Sequence, residues 1–278
     1  MSSAPRRCAV LGHPIAHSLS PALHRAGYRA VGLDWSYDAR EVAEAGLEPF
    51  LLGLDESWRG LSLTMPLKRT VVPLLDELSS RAAQAQAANT VILEGTRRVG
   101  HNTDITGAVT AIRERFDGPV TRAMILGGGA TASSALLALA DLGCEEVTLV
   151  VRDPARARET IQAADRHPVR PRVRLGRFDD PPAEVDVLVS TIPASAQAGV
   201  LHLAELATVV FDVVYDPWPT PLARLALAHG RILVSGLDLL VHQAAEQFTL
   251  MTGLAAAPLE VMRSAGEAAL AARVPPPA

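Results

Sequence analysis

From residue 121 onward, short apolar runs alternate with longer stretches of helical period. Residues 123–126 run apolar into three consecutive glycines and then into the alanine-rich segment 130–142. Residues 147–151 are followed by the helical pattern 154–164, and further apolar runs stand at 173–176, 185–190, 209–214 and 232–234. Unbroken apolar runs of strand length, spaced by helical segments, predict a parallel sheet covered by helices on both faces. The first hundred residues carry their own α/β pattern. Strands are expected at 8–12, 35–39 and 60–64, with helices at 21–31 and 42–54 between them, further helical segments up to 87, and a hairpin of 89–94 with 97–100 around Gly95-Thr96. Ser20 before Pro21 reads as an N-cap with proline at the first helical position. The helix 105–116 and the breaker Asp117-Gly118-Pro119 mark a joint, and 236–251 and 258–272 read as two closing helices. The expectation is a two-domain α/β protein, divided as 1–104, 105–235 and a C-terminal helical segment 236–278 that returns to the first domain. Residues 166–171 and 179–182 read as polar loops.

Composition narrows the class. The chain has 278 residues, 49% of them hydrophobic, and a formal net charge of −4. That apolar content is ample for two cores. A slightly acidic chain without a basic stripe argues against nucleic-acid and membrane-surface binding. No run approaches the roughly 18–20 apolar residues that span a bilayer, and the start Met-Ser-Ser-Ala-Pro-Arg-Arg gives no signal-peptide pattern, so a cytoplasmic protein is expected. Cys8 and Cys144 both lie in apolar runs and read as buried, reduced thiols. His13, His17 and His101 lack the spacing of a metal-ligand motif, and no metal is predicted.

Candidate chemistry sits where strands should end, the edge at which open α/β sheets bind ligands. Gly127-x-Gly129-x-x-Ala132 between a strand and a helix has the form of a dinucleotide loop: Gly127 for the tight turn, Gly129 for backbone approach to a pyrophosphate, Ala132 for close helix packing. The helix N-terminus then favours phosphate. Ser18 and Ser20 beside a helix start suit a small carboxylate, although a serine there also serves simply as a cap. Thr64 and Lys68 follow the third strand, where a lone lysine is as readily a surface charge. Asn89 and Asn102-Thr103-Asp104 could equally build turns.

The chain resembles the shikimate dehydrogenase family. The resemblance rests on eight ordered stretches: Gly12-His-Pro-Ile-Ala-His-Ser18-Leu-Ser20-Pro-Ala-Leu-His24; Gly60-Leu-Ser-Leu-Thr64-Met-Pro-Leu-Lys68; Ala87-Ala-Asn89-Thr90; Gly100-His-Asn102-Thr-Asp104-Ile-Thr-Gly107; Gly127-Gly-Gly129-Ala-Thr-Ala132; Ser190-Thr191-Ile192-Pro193; Asp212-Val-Val-Tyr215-Asp-Pro217; and Gly236-Leu-Asp-Leu-Leu-Val-His-Gln243-Ala. It implies an N-terminal substrate-binding domain, a Rossmann-type doubly wound NADP-binding domain, and reversible NADPH-dependent reduction of 3-dehydroshikimate to shikimate, a step of chorismate and aromatic amino-acid biosynthesis. Carried over by position, it implies that Ser18 and Ser20 hold the substrate carboxylate. Thr64, Lys68, Asn89, Asp104, Tyr215 and Gln243 would line the ring pocket, with Lys68 and Asp104 as the catalytic pair. Gly127, Gly128, Gly129, Ala130, Thr131, Ala132, Arg152, Thr191, Ile192, Pro193, Val213 and Gly236 would hold the cofactor. The family leaves room for a homodimer.

Four departures matter. Arg25 stands where the family usually has Asn and reads as a surface change. Ala130 stands where Gly is common, which is tolerable if φ stays negative. Asp238-Leu239 replaces a small or polar residue followed by Met. Val151-Arg152-Asp153 replaces Asn-Arg-Thr, and Asp153 lies near the position where an acid holds the ribose of NAD, about 20 residues past the glycine loop. Arg152, with Arg156 and Arg158 a turn further on, can instead stack on adenine and clamp a 2′-phosphate, and Asp153 before Pro154 also reads as a helix cap. The cap, and with it NADP rather than NAD, is the expectation. The rival readings are an NAD-dependent quinate/shikimate or aminoshikimate dehydrogenase, a non-catalytic binding protein on the same fold, and more distantly a methylenetetrahydrofolate dehydrogenase-like enzyme.

Overall fold

The apolar runs pair into two six-stranded sheets, each the centre of a separate unit: residues 1–83, 87–103 and 240–278 form one, residues 84–86 and 104–239 the other. The computed structural model describes residues 5–177, 180 and 183–273, with the side chain of Arg156 excepted; most of the expected loop at 179–182 lies outside them.

The first unit contains, in chain order, β1 (Arg7–Gly12), α1 (Ser20–Ala30), β2 (Ser36–Glu41), α2 (Glu44–Leu52), β3 (Trp58–Leu63), α3 (Leu67–Thr70), β4 (Glu77–Leu78), α4 (Ser80–Ala85), β5 (Thr90–Glu94) and β6 (Arg97–His101). Its sheet runs β2-β1-β3-β5-β6-β4. β2 and β3 flank β1 in parallel, whereas β5 is antiparallel to both β3 and β6. The chain leaves β1 through α1 to one side and returns through α2 to the other. Connections diverging from one strand open a crevice at its carboxyl end.

The second unit contains α5 (Thr103–Arg115), β7 (Arg122–Leu126), α6 (Ala130–Asp141), β8 (Glu146–Val150), α7 (Arg158–Arg166), β9 (Arg172–Gly176), β10 (Val185–Ser190), β11 (Ala207–Asp212), α8 (Pro221–Ala228) and β12 (Ile232–Ser235). Its sheet, β12-β11-β10-β7-β8-β9, is parallel throughout. This is the doubly wound order, with the switch point between β7 and β10. α9 (Gly236–Thr252) begins in this unit and continues into the first, where α10 (Leu259–Ala271) packs on α1. The expected joint at Asp117-Gly118-Pro119 is a turn inside the second unit.

Several local expectations change. Ser20 does not cap α1: the helix begins on Ser20, Leu19 stands at the cap without a side-chain bond, and the Ser18 hydroxyl accepts the Ser20 amide at 3.3 Å. Arg25 is not a passive surface residue, since its Nε donates to the Tyr37 carbonyl at 2.7 Å and its Nη2 to Asp38 at 2.9 Å. It thereby ties α1 to the edge strand β2. The stretch before residue 87 is broken into α3, a 3₁₀ turn, β4 and α4. Ala130 is helical with negative φ, and both cysteines are buried and free. Burial raises each thiol to about 11, so neither is a ready nucleophile.

An aromatic cluster closes the first unit beneath α1. His24 stacks on Tyr37 with centroids 4.1 Å apart, and Tyr28 lies 5.4 Å from Phe248. His24 is fully buried, and neither ring nitrogen makes a hydrogen bond of acceptable geometry. Burial pushes its pKa down from 6.5 to about 3, with nearby Gln247 opposing only weakly. A folded value below the unfolded one means that its contribution is intact above about pH 6.5 and is lost as pH falls towards 3. Denaturant titrations should therefore show the wild type losing about 2 kcal/mol more than His24→Phe between pH 6.5 and 4.5. Parallel pH curves would contradict a buried neutral ring.

Candidate active site

In the first unit the predicted residues gather at the carboxyl ends of β1 and β3. Gly12 ends β1, and a Cβ there would lie 2.4 Å from Thr64 Cγ2. The glycine is what lets the Thr64 side chain cross the strand end. Two backbone bonds lock that crossing, Thr64 N–H to Leu11 O and His13 N–H to Met65 O, both 2.9 Å. Ser18 and Ser20 stand on the loop and helix start that follow β1, Ser18 half-buried and Ser20 buried. Lys68 is half-buried in α3, its carbonyl fixed by the Ala88 amide at 2.8 Å. That bond places Lys68 next to the segment carrying Asn89.

Asn89 is 1% exposed, and both ends of its carboxamide are bonded. Its Oδ1 accepts from the Thr103 amide at 2.8 Å and the Thr90 hydroxyl at 3.0 Å. Its Nδ2 donates to Thr103 Oγ1 at 2.9 Å and to Gln243 Oε1 at 3.3 Å. Gln243 Nε2 in turn donates to the Leu240 carbonyl at 3.0 Å. Asn89 and Gln243, distant in sequence, are thus joined directly. Asn102 Nδ2 donates to the Ala87 carbonyl at 3.0 Å and closes the same loop.

Asp104 and Tyr215 belong to the second unit. Asp104 is buried in the first turn of α5, where the helix dipole favours a carboxylate. The loop bearing Val213 and Tyr215 is held by Asp212, the last residue of β11. Its carboxylate accepts from Thr220 Oγ1 at 2.6 Å, Gln197 Nε2 at 2.8 Å and the Val214 amide at 3.3 Å. Burial nonetheless leaves its pKa above the ordinary carboxylate value.

The predicted cofactor residues lie along the carboxyl edge of the parallel sheet. Gly127–Ala132 follow β7, Arg152 follows β8, Thr191, Ile192 and Pro193 follow β10, Val213 follows β11, and Gly236 follows β12. Gly127 has φ +110°, and a Cβ on it would lie 2.3 Å from Thr191 Oγ1, whose hydroxyl donates to the Leu126 carbonyl at 2.8 Å. Gly129 differs: its φ is −85° and an added Cβ would touch no protein atom within 4 Å. No described protein atom requires that glycine. α6 has no side-chain cap at Gly129, and a helix N-terminus is the kind of place that takes phosphate. Gly236 is required by packing as well, because a Cβ would lie 2.3 Å from the Val213 carbonyl.

Asp153 is the N-cap of the 3₁₀ turn Pro154–Ala157, accepting the Ala155 amide at 2.9 Å. Its carboxylate is engaged there, and Arg152 beside it is exposed. The side chain of Arg158 is exposed too. Asp238, a departure in the sequence, proves to close a capping box: it accepts from the Ser235 amide at 2.9 Å and the Ser235 hydroxyl at 2.7 Å, while Ser235 Oγ accepts the Asp238 amide at 3.1 Å. Arg115 adds a bond at 3.0 Å. Burial raises the Asp238 carboxyl, but Ser235 and the Arg115 guanidinium outweigh it and hold the pKa below the usual range. Among the described residues, no three His, Cys, Asp or Glu side chains gather as a metal site, and no helix is long and apolar enough to cross a membrane.

Residues 10–91 match the shikimate dehydrogenase substrate binding domain, and residues 236–265 the shikimate 5'-dehydrogenase C-terminal domain. The shikimate dehydrogenase (NADP(+)) of Desulfitobacterium hafniense is 35% identical over 271 residues, 95% of this chain and 98% of the relative. The crystal structure of the Mycobacterium tuberculosis shikimate dehydrogenase superposes with a TM-score of 0.87 at 39% identity, covering 95% of this chain and all of that one. That of the Thermus thermophilus enzyme in complex with NADP(H) and shikimate gives 0.84 at 32% identity, with 95% and 99% covered.

The two loop glycines should separate on substitution. Gly127→Ala forces an L-residue into positive φ against Thr191 and should destabilise the protein by about 1–3 kcal/mol. Gly129→Ala should leave stability within about 0.5 kcal/mol yet weaken dinucleotide binding at least ~10-fold, about 1.4 kcal/mol. Thermal unfolding and calorimetric titration measure the two; equal behaviour of the variants would contradict the distinction.

Proposed function

The chain belongs to the shikimate dehydrogenase family, and from that membership we propose that it catalyses the reversible NADPH-dependent reduction of 3-dehydroshikimate to shikimate. The observation that carries the reading is the polar cluster at the carboxyl ends of β1 and β3. It combines paired serines, a half-buried lysine and two linked carboxamides. Such groups suit a small, hydroxylated ring acid: hydroxyl donors for the carboxylate, carboxamides for ring hydroxyls, and an ammonium for the reacting oxygen.

In this reading the unit of residues 1–83, 87–103 and 240–278 is the substrate-binding domain and that of residues 84–86 and 104–239 the cofactor domain. Ser18 and Ser20 bind the carboxylate, while Thr64, Asn89, Tyr215 and Gln243 orient the ring. When bound, NADPH supplies the hydride. Reduction of a ketone places negative charge on its oxygen; Lys68 Nζ stabilises that charge and delivers the proton. In oxidation Lys68 Nζ receives the proton instead. Asp104 is its partner in this acid–base work and accepts a hydrogen bond from a substrate hydroxyl. Gly127–Ala132 cradle the pyrophosphate at the start of α6, with Thr191, Ile192, Pro193, Val213 and Gly236 along the same edge. Arg152 pairs with the 2′-phosphate, and the engagement of Asp153 as a cap supports NADP over NAD. The activity fits a cytoplasmic enzyme and allows a homodimer.

Lys68→Ala should lower turnover at least ~10²-fold with little change in shikimate affinity; near-normal turnover would remove Lys68 from the mechanism. Arg152→Ala should raise the KM for NADPH at least ~10-fold, as the loss of a charge-assisted bond implies, and an unchanged value would remove the clamp. Initial rates of shikimate and quinate oxidation, each with NADP and with NAD, test the whole reading. The expected order places shikimate with NADP first. Leading rates with quinate or NAD would overturn it, and no rate in any combination would leave a binding protein.

A further inference from the structure

A line of buried polar side chains runs through the first unit from the aromatic cluster to Asn89. Tyr37 donates its hydroxyl to Ser62 Oγ at 2.6 Å, and Ser62 donates to Gln247 Oε1 at 2.8 Å. Gln247 Nε2 donates to Thr90 Oγ1 at 2.9 Å and to the Asn89 carbonyl at 3.2 Å. Thr90 donates to Asn89 Oδ1 at 3.0 Å, and Asn89 Nδ2 donates to Gln243 Oε1 at 3.3 Å. Every member is below a tenth exposed, Gln247 at 1% and Thr90 at 0%.

The direction of this line is determined. A backbone carbonyl can only accept, so the Asn89 carbonyl requires the NH₂ end of Gln247 and rules out the flipped amide, which would set two acceptors face to face. Thr90, already accepting from Gln247, then has its single hydrogen available for Asn89 Oδ1. The donor-only Thr103 amide demands the same orientation at 2.8 Å. With its oxygen engaged there, Asn89 must present its NH₂ end to Gln243, and Gln243 must answer with its oxygen. Gln247 stands one helical turn beyond Gln243 on α9 and touches both the backbone and, through Thr90, the side chain of Asn89.

We propose that Gln247 is a positioning residue for the reaction: acting through Thr90 and the Asn89 carbonyl, it reinforces the Asn89 orientation that the Thr103 amide also favours and so steadies the Asn89–Gln243 pair offered to the substrate ring. The proposal rests on the reading of Asn89 and Gln243 as substrate-binding groups. Loss of Gln247 leaves the Asn89 carbonyl with the Leu63 amide alone and takes from the Thr90 hydroxyl its donor in a dry interior, where such groups re-pair rather than stay unsatisfied. The cheapest re-pairing rotates Thr90, which releases one hold on Asn89.

The test is a double-substitution cycle of Gln247→Leu and Thr90→Val, followed by steady-state kinetics and side-chain amide NMR. Each single variant should raise the shikimate KM at least ~10-fold, a loss of about 1.4 kcal/mol, with kcat and the NADPH KM within about 3-fold of wild type. The double variant should be no worse than the poorer single one, because both cut the same line. Shikimate KM values unchanged in folded single variants, or effects that multiply in the double variant, would overturn the proposal. Should Gln247→Leu fail to fold, Ser62→Ala, which removes the donor to Gln247 Oε1 together with the acceptor of the Tyr37 hydroxyl, should move the KM in the same direction, and no movement overturns the proposal. In wild type the Asn89 NH₂ resonances should be protected from solvent exchange, and Gln247→Leu should abolish that protection whatever the substrate is. A wild type inactive on shikimate with protection still lost in the variant would sink the functional reading and keep the relay; retained protection would sink the relay.

Discussion

A carboxamide buried where three strands and two helices converge has to be satisfied on every side, and Asn89 is that group. Its amide is held by the His101 carbonyl at 3.0 Å and its carbonyl takes the Leu63 amide at 2.7 Å. Those two bonds tie β6 and β3 together just before β5 begins. Its side chain receives the first amide of α5 and reaches Gln243 of α9. Leaving any one of these groups unpaired would cost about 1–3 kcal/mol. The position of Lys68 follows from the same junction, because its carbonyl is bonded to the residue immediately before Asn89. A junction assembled this way is stiff, and in the proposed function that preorganisation is what would let its hydrogen bonds discriminate between similar polyhydroxy acids.

The second unit depends on a different constraint, the closeness of backbone to backbone at the carboxyl edge of a parallel sheet. Gly127 against Thr191 and Gly236 against Val213 leave no room for a Cβ. Asp212 then gathers the loop after β11 by bonding Thr220 and Gln197, and Gln197 Oε1 accepts the Leu222 amide at 3.0 Å at the start of α8. One buried carboxylate thereby organises the segment that carries Val213 and Tyr215. Packing dictates the residue type at Gly127 and Gly236 but not at Gly129, where an added Cβ would meet nothing within 4 Å.

Much of this was legible in the sequence, and the failures have physical causes. β7, β8, β10 and β11 are buried on both faces and therefore read as unbroken apolar runs. β4, only Glu77–Leu78, is too short to show a period, and α8 was missed because its Pro-rich approach masks the helical pattern. Ser20 was misread because Ser-Pro is the usual signature of a cap, whereas here the loop serine Ser18 does that work from two residues earlier. Asp153 could be weighed as cap or ribose ligand from sequence, but only its bond to Ala155 identifies it as the cap. Thr90 stands in a stretch that carries the resemblance, but its partnership with Gln247 left no sequence signal, since it joins residues 157 apart along the chain.

The account stands on where shikimate sits. A crystal structure of the protein with shikimate measures that directly. The account predicts the carboxylate against the hydroxyls of Ser18 and Ser20, a ring hydroxyl on the carboxamides of Asn89 and Gln243, and the oxygen to be oxidised at Lys68 Nζ. Shikimate bound away from the ends of β1 and β3, or with its carboxylate on Lys68 in place of the serines, would contradict it.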